Sequence, residues 1–108
     1  MSEPTVVDAP EAERFEIRVD GELAGFAEYR RRNGLIAFIH TEIDPRFEGQ
    51  GLAGRLIATA LDSSREDGLA VLPFCPFVRG YIEKHPEYLD LVPEAQREQF
   101  ELPAQLAT

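Results

Sequence analysis

The hydrophobic period of this chain changes once, over residues 44–51, and that change limits what the chain can fold into. Before it, apolar residues recur at every second position, the period of a half-buried strand. After it they recur at intervals of three and four, the period of a helix with one apolar face. A run of strands followed by strand, loop, helix and strand requires a mixed sheet, because a crossover through a helix leaves its two strands parallel. The expected fold class is therefore α/β (α+β): an N-terminal antiparallel meander, a strand–loop–helix–strand crossover and a C-terminal helix.

The elements follow residue by residue. Phe15-Glu16-Ile17-Arg18-Val19 alternates apolar and polar, and Asp20-Gly21 after it is a strong hairpin signal. A second strand covers residues 23–31, with Leu23, Gly25, Ala27 and Tyr29 on one side, and residues 30–34 turn the chain. A third and more apolar strand spans residues 35–43, and Asp44-Pro45 ends it. Ala53, Leu56, Ile57, Ala60 and Leu61 form a helical stripe, and Gly68 suits the left-handed position beyond that helix. Residues 69–74 make a short strand holding Pro73, which cannot donate to a ladder, so pairing should fail there. Pro76 suits the first turn of a second helix with Phe77, Val78, Tyr81 and Ile82 on its apolar face, and Pro86 stops it. Pro93 is expected to open one more short helix to about Glu101. Residues 1–13 are rich in Glu, Pro and Asp and read as a loose arm, residues 14–102 as one domain and residues 103–108 as a loose tail.

Composition narrows the function. At 108 residues and 44% hydrophobic content the chain makes one domain with one core. No apolar run approaches the roughly 18 residues of a membrane span, and the acidic start with Pro4 and Pro10 is no signal peptide. A cytoplasmic protein, monomeric or weakly dimeric, is the expectation. Eleven basic against 20 acidic residues give a net charge of −9. That field repels nucleic acid and anionic membranes and favours cationic partners such as amines, although it also serves solubility alone. The single cysteine, Cys75, excludes an internal disulfide and a multi-cysteine zinc site.

The residues between the third strand and the first helix carry the chemistry. Gly49-Gln50-Gly51-Leu52-Ala53-Gly54 lets backbone approach a ligand at a helix start, where unpaired N–H groups and the helix dipole favour a phosphate. It is not a Walker A loop, since Gly-Lys-Ser/Thr is missing. It matches G-x-G-x-x-G as a string, but residues 69–74 end without the acid that a dinucleotide site needs. A tight connection without a ligand is the other reading.

Residues 43–57, from Ile43 through Glu48, Gly51 and Ala53 to Ile57, resemble motif A of the GCN5-related N-acetyltransferases: a hydrophobic strand end, Q/R-x-x-G-x-G/A and an amphipathic helix. Glu48 stands where that family usually has Gln or Arg. Tyr81-Ile82-Glu83-Lys84-His85 resembles the family's Tyr-Glu-Lys segment, with one residue inserted. Cys75-Pro76-Phe77-Val78 followed by His85-Pro86-Glu87-Tyr88 resembles a small subgroup of about this length. The resemblance implies that acetyl-CoA is the co-substrate, that strands 35–43 and 69–74 splay to admit its arm, and that Ile43, Glu48, Gly49, Gln50, Gly51, Leu52, Ala53, Gly54, Phe77 and Lys84 bind it. Arg46 and Arg79 are further candidates for its phosphates. The two helices that the family places between its first strands are missing, which leaves the acceptor side open.

For transfer to an amine, His40 or Glu42 could take the proton, since the two share a strand face; solvated or structural roles are the alternative. The resemblance puts Tyr81 where the family protonates the leaving thiolate; core packing is the alternative. Cys75, at a helix N-cap, is either an acetyl-accepting thiol or a buried small hydrophobe. The expected function is an acetyl-CoA-dependent N-acetyltransferase acting on a small amine or a lysine side chain. The alternatives are a non-catalytic acyl-CoA-binding module and an interaction domain indifferent to CoA.

Overall fold

The computed structural model describes residues 3–103. A five-stranded sheet in the order β1-β2-β3-β4-β5 carries two helices: β1 Thr5–Ala9, β2 Arg14–Val19, β3 Glu22–Arg32, β4 Leu35–Ile43, α1 Leu52–Glu66, β5 Ala70–Pro73 and α2 Pro76–Lys84. The first four strands pair antiparallel and β5 joins β4 in parallel, so the fold is the mixed α+β arrangement that the period change requires.

Two hairpin turns are set by residue type. Asp20-Gly21 and Asn33-Gly34 all take positive φ, between 44° and 82°, in two-residue links where Asn, Asp and Gly tolerate that conformation. Gly68, at φ +69°, follows α1 in the left-handed conformation that ends a helix. The α1 stripe buries Leu56, Ile57, Ala60 and Leu61 against one face of the sheet, where Phe15, Ile17, Tyr29, Ile36 and Phe38 wait. Phe15, Tyr29 and Phe38 meet as rings with centroids 5.4–6.3 Å apart. The C-terminal end of α1 is clamped by Arg65, which forks onto Asp90 at 2.6 and 2.9 Å.

Two expectations need correction. Residues 5–12 are not a loose arm: Thr5–Ala9 pairs along β2 from Thr5↔Arg18 to Ala9↔Arg14, and Pro10–Ala12 forms a 3-10 turn. The strand is held partly by Tyr29, whose hydroxyl donates to Asp8 at 2.6 Å across 21 residues of sequence. No helix runs from Pro93 to Glu101; one 3-10 turn, Glu94–Gln96, is followed by further turns. A 3-10 segment at Pro86–Leu91, buried through Tyr88, Leu89 and Leu91, does the packing instead. Met1, Ser2 and, in the expected tail, residues 104–108 lie outside the described residues. Among the described residues no helix is long and apolar enough to cross a membrane.

One irregularity decides the orientation of the site. Tyr29 pairs with Phe38 and Glu28 with His40, so Ile39 is an extra residue, a bulge in β4. Without it, the alternation begun by buried Phe38 would carry His40 and Glu42 to the helix-covered face. With it, Thr41 and Ile43 face the helices, and His40 and Glu42 face the other side, which no α-helix covers.

Candidate active site

The β4–β5 ladder ends at Phe38↔Pro73. The next main-chain bond across the strands is made by Cys75, whose N–H donates to the Phe38 carbonyl at 2.8 Å. Beyond it β4 runs on to Ile43 with β3 as its one strand partner. Pro73 explains the parting, because it has no N–H to continue the ladder. A groove of about 480 Å³ lies where the strands separate. Thr41, Ile43 and Phe47 line it, together with the loop residues Glu48, Gly49 and Gly51, the first turn of α1 (Leu52, Ala53, Gly54) and Phe77 of α2.

The loop is shaped by glycine. Gly49 and Gly51 sit at φ +84° and +72°, Gly51 being the N-cap of α1. A Cβ built on either would meet nothing within 4 Å, so the requirement is conformational and the space beside them is open. As a glycine, the cap supplies no side-chain acceptor, and the first N–H groups of a 15-residue helix face the groove without one. Such a terminus holds an anion well. Gly25, paired with Ile43 on the neighbouring strand β3, works on the same face: a Cβ there would lie 2.5 Å from the Glu42 carbonyl and from Ile43 Cδ1, so its bareness lets Ile43 pack down beneath the groove.

Eight of the ten residues proposed for the coenzyme line this one groove. Gln50 instead lines a second hollow of about 530 Å³ on the far side of the loop, with Pro4, Val19, Asp20 and Arg55. Lys84 is exposed in the last turn of α2 and does not line the groove. Arg46 is engaged by Asp44 and, at 3.4 Å, by Glu22, and Arg79 pairs with Glu101 at 3.5 Å. Thr41 and Phe47 were not among the sequence candidates. Thr41 shares a face with Ile43 by the period of two, and Phe47 is an apolar residue in a polar loop, so both carried a readable signal.

The four catalytic candidates separate into two places. His40 and Glu42 do share a face: their side chains meet at 2.9 Å between Nε2 and Oε2, both exposed. The His40 ring lies 6.0 Å from Phe26, over which Arg14 stacks. Arg14 and Arg18 hold Glu16 between them, and these bonds, with that from Arg18 foremost, keep its carboxyl below the usual range. Cys75 lies on the opposite side. Its thiol is buried and meets the Thr41 hydroxyl at 3.3 Å; it makes no cap bond to α2, so that helix terminus does not hold the sulfur. Tyr81 stacks on His85 at 4.0 Å, and its ring stands 3.7 Å from the Cβ position of Gly54, at the groove margin. Burial raises its phenol pKa, and no described residue bonds its hydroxyl. Nearby Tyr88, buried and bonded to Asp62, is pushed up to about 12.

A mixed sheet that opens beside an uncapped helix start, floored by one strand and roofed by glycine loop and helix, defines an acyltransferase-type domain. The chain belongs to the GCN5-related N-acetyltransferase family, whose sequence profile matches residues 14–91. The fold is similar to the solution structure of a GCN5-like protein from Staphylococcus aureus, with a TM-score of 0.66, 24% identity, and 86% of this chain and 91% of that one covered. It is also similar to a ribosomal-protein-alanine N-acetyltransferase from Brucella melitensis, with a TM-score of 0.53 and 21% identity over 74% of this chain and 60% of that one. A GNAT family N-acetyltransferase from Escherichia coli, solved with CoA, matches with a TM-score of 0.50 and 25% identity over 56% of this chain and 38% of that one. Among curated proteins, no sequence matches the chain.

Proposed function

We propose that this chain transfers an acetyl group from acetyl-CoA to an amine, by direct attack of the amine on the thioester. The observation that carries the reading is the uncapped start of α1 opening onto the groove at the point where β4 and β5 part. The N–H groups there suit the pyrophosphate, and the apolar wall of Ile43, Phe47, Leu52 and Phe77 suits the pantetheine arm. The amine lone pair forms the new C–N bond to the carbonyl carbon as the C–S bond breaks with its electron pair on sulfur. The proton lost from nitrogen passes to the His40–Glu42 pair. The Tyr81 hydroxyl, kept protonated by burial, supplies the thiolate with its proton and regains one from solvent.

Two measurements test the reading. Acetyl-CoA at about 100 times its Kd should stabilise the native state by about 2.7 kcal/mol, which is roughly a 10 °C rise in Tm for a domain of this size. Steady-state release of CoA should then appear with an amine panel. An unchanged Tm sinks the coenzyme site; a raised Tm with no amine-dependent release leaves a binding module.

The geometry also favours direct attack over an acetylated Cys75. A nucleophilic thiol needs a base in hydrogen-bond reach, and the one side-chain partner of Cys75 among the described residues is Thr41. Cys75→Ala should therefore keep turnover within about threefold of wild type and lose about 1 kcal/mol of stability, the typical figure for a point change. Loss of several orders of magnitude, with an acetylated Cys75 peptide trapped on the wild type, would reverse that assignment.

A further inference from the structure

His85-Pro86 ends α2 one turn beyond Tyr81. A proline pushes the residue before it out of the helical region, and His85, the C-cap, takes φ −127° and ψ 76°. Its imidazole folds back over the last turn of the helix and lies flat on the Tyr81 ring, with centroids 4.0 Å apart and 14° between the planes. Nδ1 stands 2.9 Å from the Tyr81 carbonyl. A carbonyl only accepts, so Nδ1 carries a proton and the bond fixes how the imidazole is turned. The backbone N–H of His85 donates to the same carbonyl, also at 2.9 Å. The far end of the phenol is placed as well. Cε1, next to the carbon that bears the hydroxyl, is the ring atom 3.7 Å from the Cβ position of Gly54, and Gly54 lines the groove. Tyr88 adds a tilted contact with ring centroids 6.1 Å apart. A hydroxyl without a partner among the described residues is thus carried by a ring that its neighbours hold.

We infer that His85 is a positioning residue for the transfer: stacked on Tyr81, it holds the phenol so that its hydroxyl meets the leaving sulfur at the groove margin. The inference rests on the transfer reading above, in which Tyr81 is the acid, and adds the residue that aims that acid. In the step concerned the O–H bond of Tyr81 breaks as an S–H bond forms on the leaving thiolate, and the phenolate then takes a proton from solvent. His85 exchanges no proton in it. Without the stack the phenol is free to swing, and a group misplaced by about 1 Å can cost about 10²-fold in rate. The other role open to His85 is to cap α2 through its bonds to the last carbonyls. A cap alone predicts a loss of stability, and any loss of rate would then be indifferent to the phenol hydroxyl.

The test is a double-mutant cycle on kcat, with n-propylamine as acceptor under saturating acetyl-CoA. His85→Ala should lower kcat about 10–100-fold, with CoA affinity unchanged, since His85 does not line the groove. In a Tyr81→Phe background the same change should cost less than about twofold, because the hydroxyl it aims is gone. An equal loss in both backgrounds overturns the inference, and so does a His85→Ala enzyme as fast as wild type. If His85→Ala does not fold, two further variants decide. His85→Phe keeps a flat ring for Tyr81 without the Nδ1 donor, and His85→Asn keeps an N–H donor without the ring. His85→Phe near wild type with His85→Asn slow upholds the stack; any other ranking overturns it. A second readout needs no turnover. In protein labelled with ε-13C tyrosine, the Tyr81 resonance, assigned by its absence in Tyr81→Phe, should shift when CoA saturates the wild type and shift far less in His85→Ala. That pattern without acetylation of any amine upholds the positioning and overturns transfer. Equal shifts in the two proteins, or none in the wild type, overturn the positioning.

Discussion

Gly51→Asp is expected to abolish measurable CoA binding in a protein that still folds. Gly51 caps α1 in the left-handed conformation, and Asp is among the residues that tolerate it. A Cβ there meets no neighbour, so nothing in the core is displaced. What changes is charge: a carboxylate is placed at the helix start that faces the groove. Two unit charges about 4 Å apart near a protein surface repel by about 4 kcal/mol, close to a thousandfold in affinity. Gly51→Asn separates charge from shape, since it brings nearly the same side chain without the charge and should lose far less. Glu48 provides the converse. It lines the groove as an acid, and Glu48→Gln should tighten CoA binding, with the gain shrinking as salt rises. Calorimetry on the three variants, with circular dichroism to confirm folding, decides the matter. Wild-type affinity in folded Gly51→Asp removes the phosphate from this loop.

What could be read from the sequence was what local chemistry determines. Asp20-Gly21 and Asn33-Gly34 announce their turns because few residues accept positive φ, and Pro73 announces the end of the ladder because it has no N–H. The groove was legible through Gly49 and Gly51 for the same reason. Strand β1 was not: Thr5-Val6-Val7-Asp8-Ala9 lies among Glu and Pro, and its order comes from β2 and from the Tyr29–Asp8 bond, which is tertiary. The bulge at Ile39 was not legible either. It is marked by no glycine, and it shows only in the cross-strand pairing, where Tyr29 meets Phe38 and Glu28 meets His40. That missed residue reverses the faces of everything after it, so the sequence shows that His40 and Glu42 lie together but not that they lie away from the helices. In place of the short helix expected after Pro93 the chain makes successive single turns, with N–H groups bonding three residues back, Gln96 to Pro93, Arg97 to Glu94 and Phe100 to Arg97.

The orientation set by that bulge leads to the second large effect. His40→Ala is expected to reduce kcat by about 10²–10⁴, the usual contribution of a positioned acid or base, with CoA affinity unchanged. The affinity should hold because His40 does not line the groove. Glu42→Gln should cost less than His40→Ala. The amide still bonds Nε2 of His40 but no longer stabilises the imidazolium that forms when the proton arrives. Phe26→Leu is a useful control: it removes the ring 6.0 Å from His40 while leaving the imidazole, and should alter kcat far less than His40→Ala. Taken with Cys75→Ala, the result identifies the route. A large loss at His40 and near-normal turnover at Cys75 leave direct attack from the open face. A His40→Ala enzyme within threefold of wild type would mean that the amine arrives already neutral or that another group takes its proton. The acceptor would then have no chemical reason to approach from the uncovered side of the sheet.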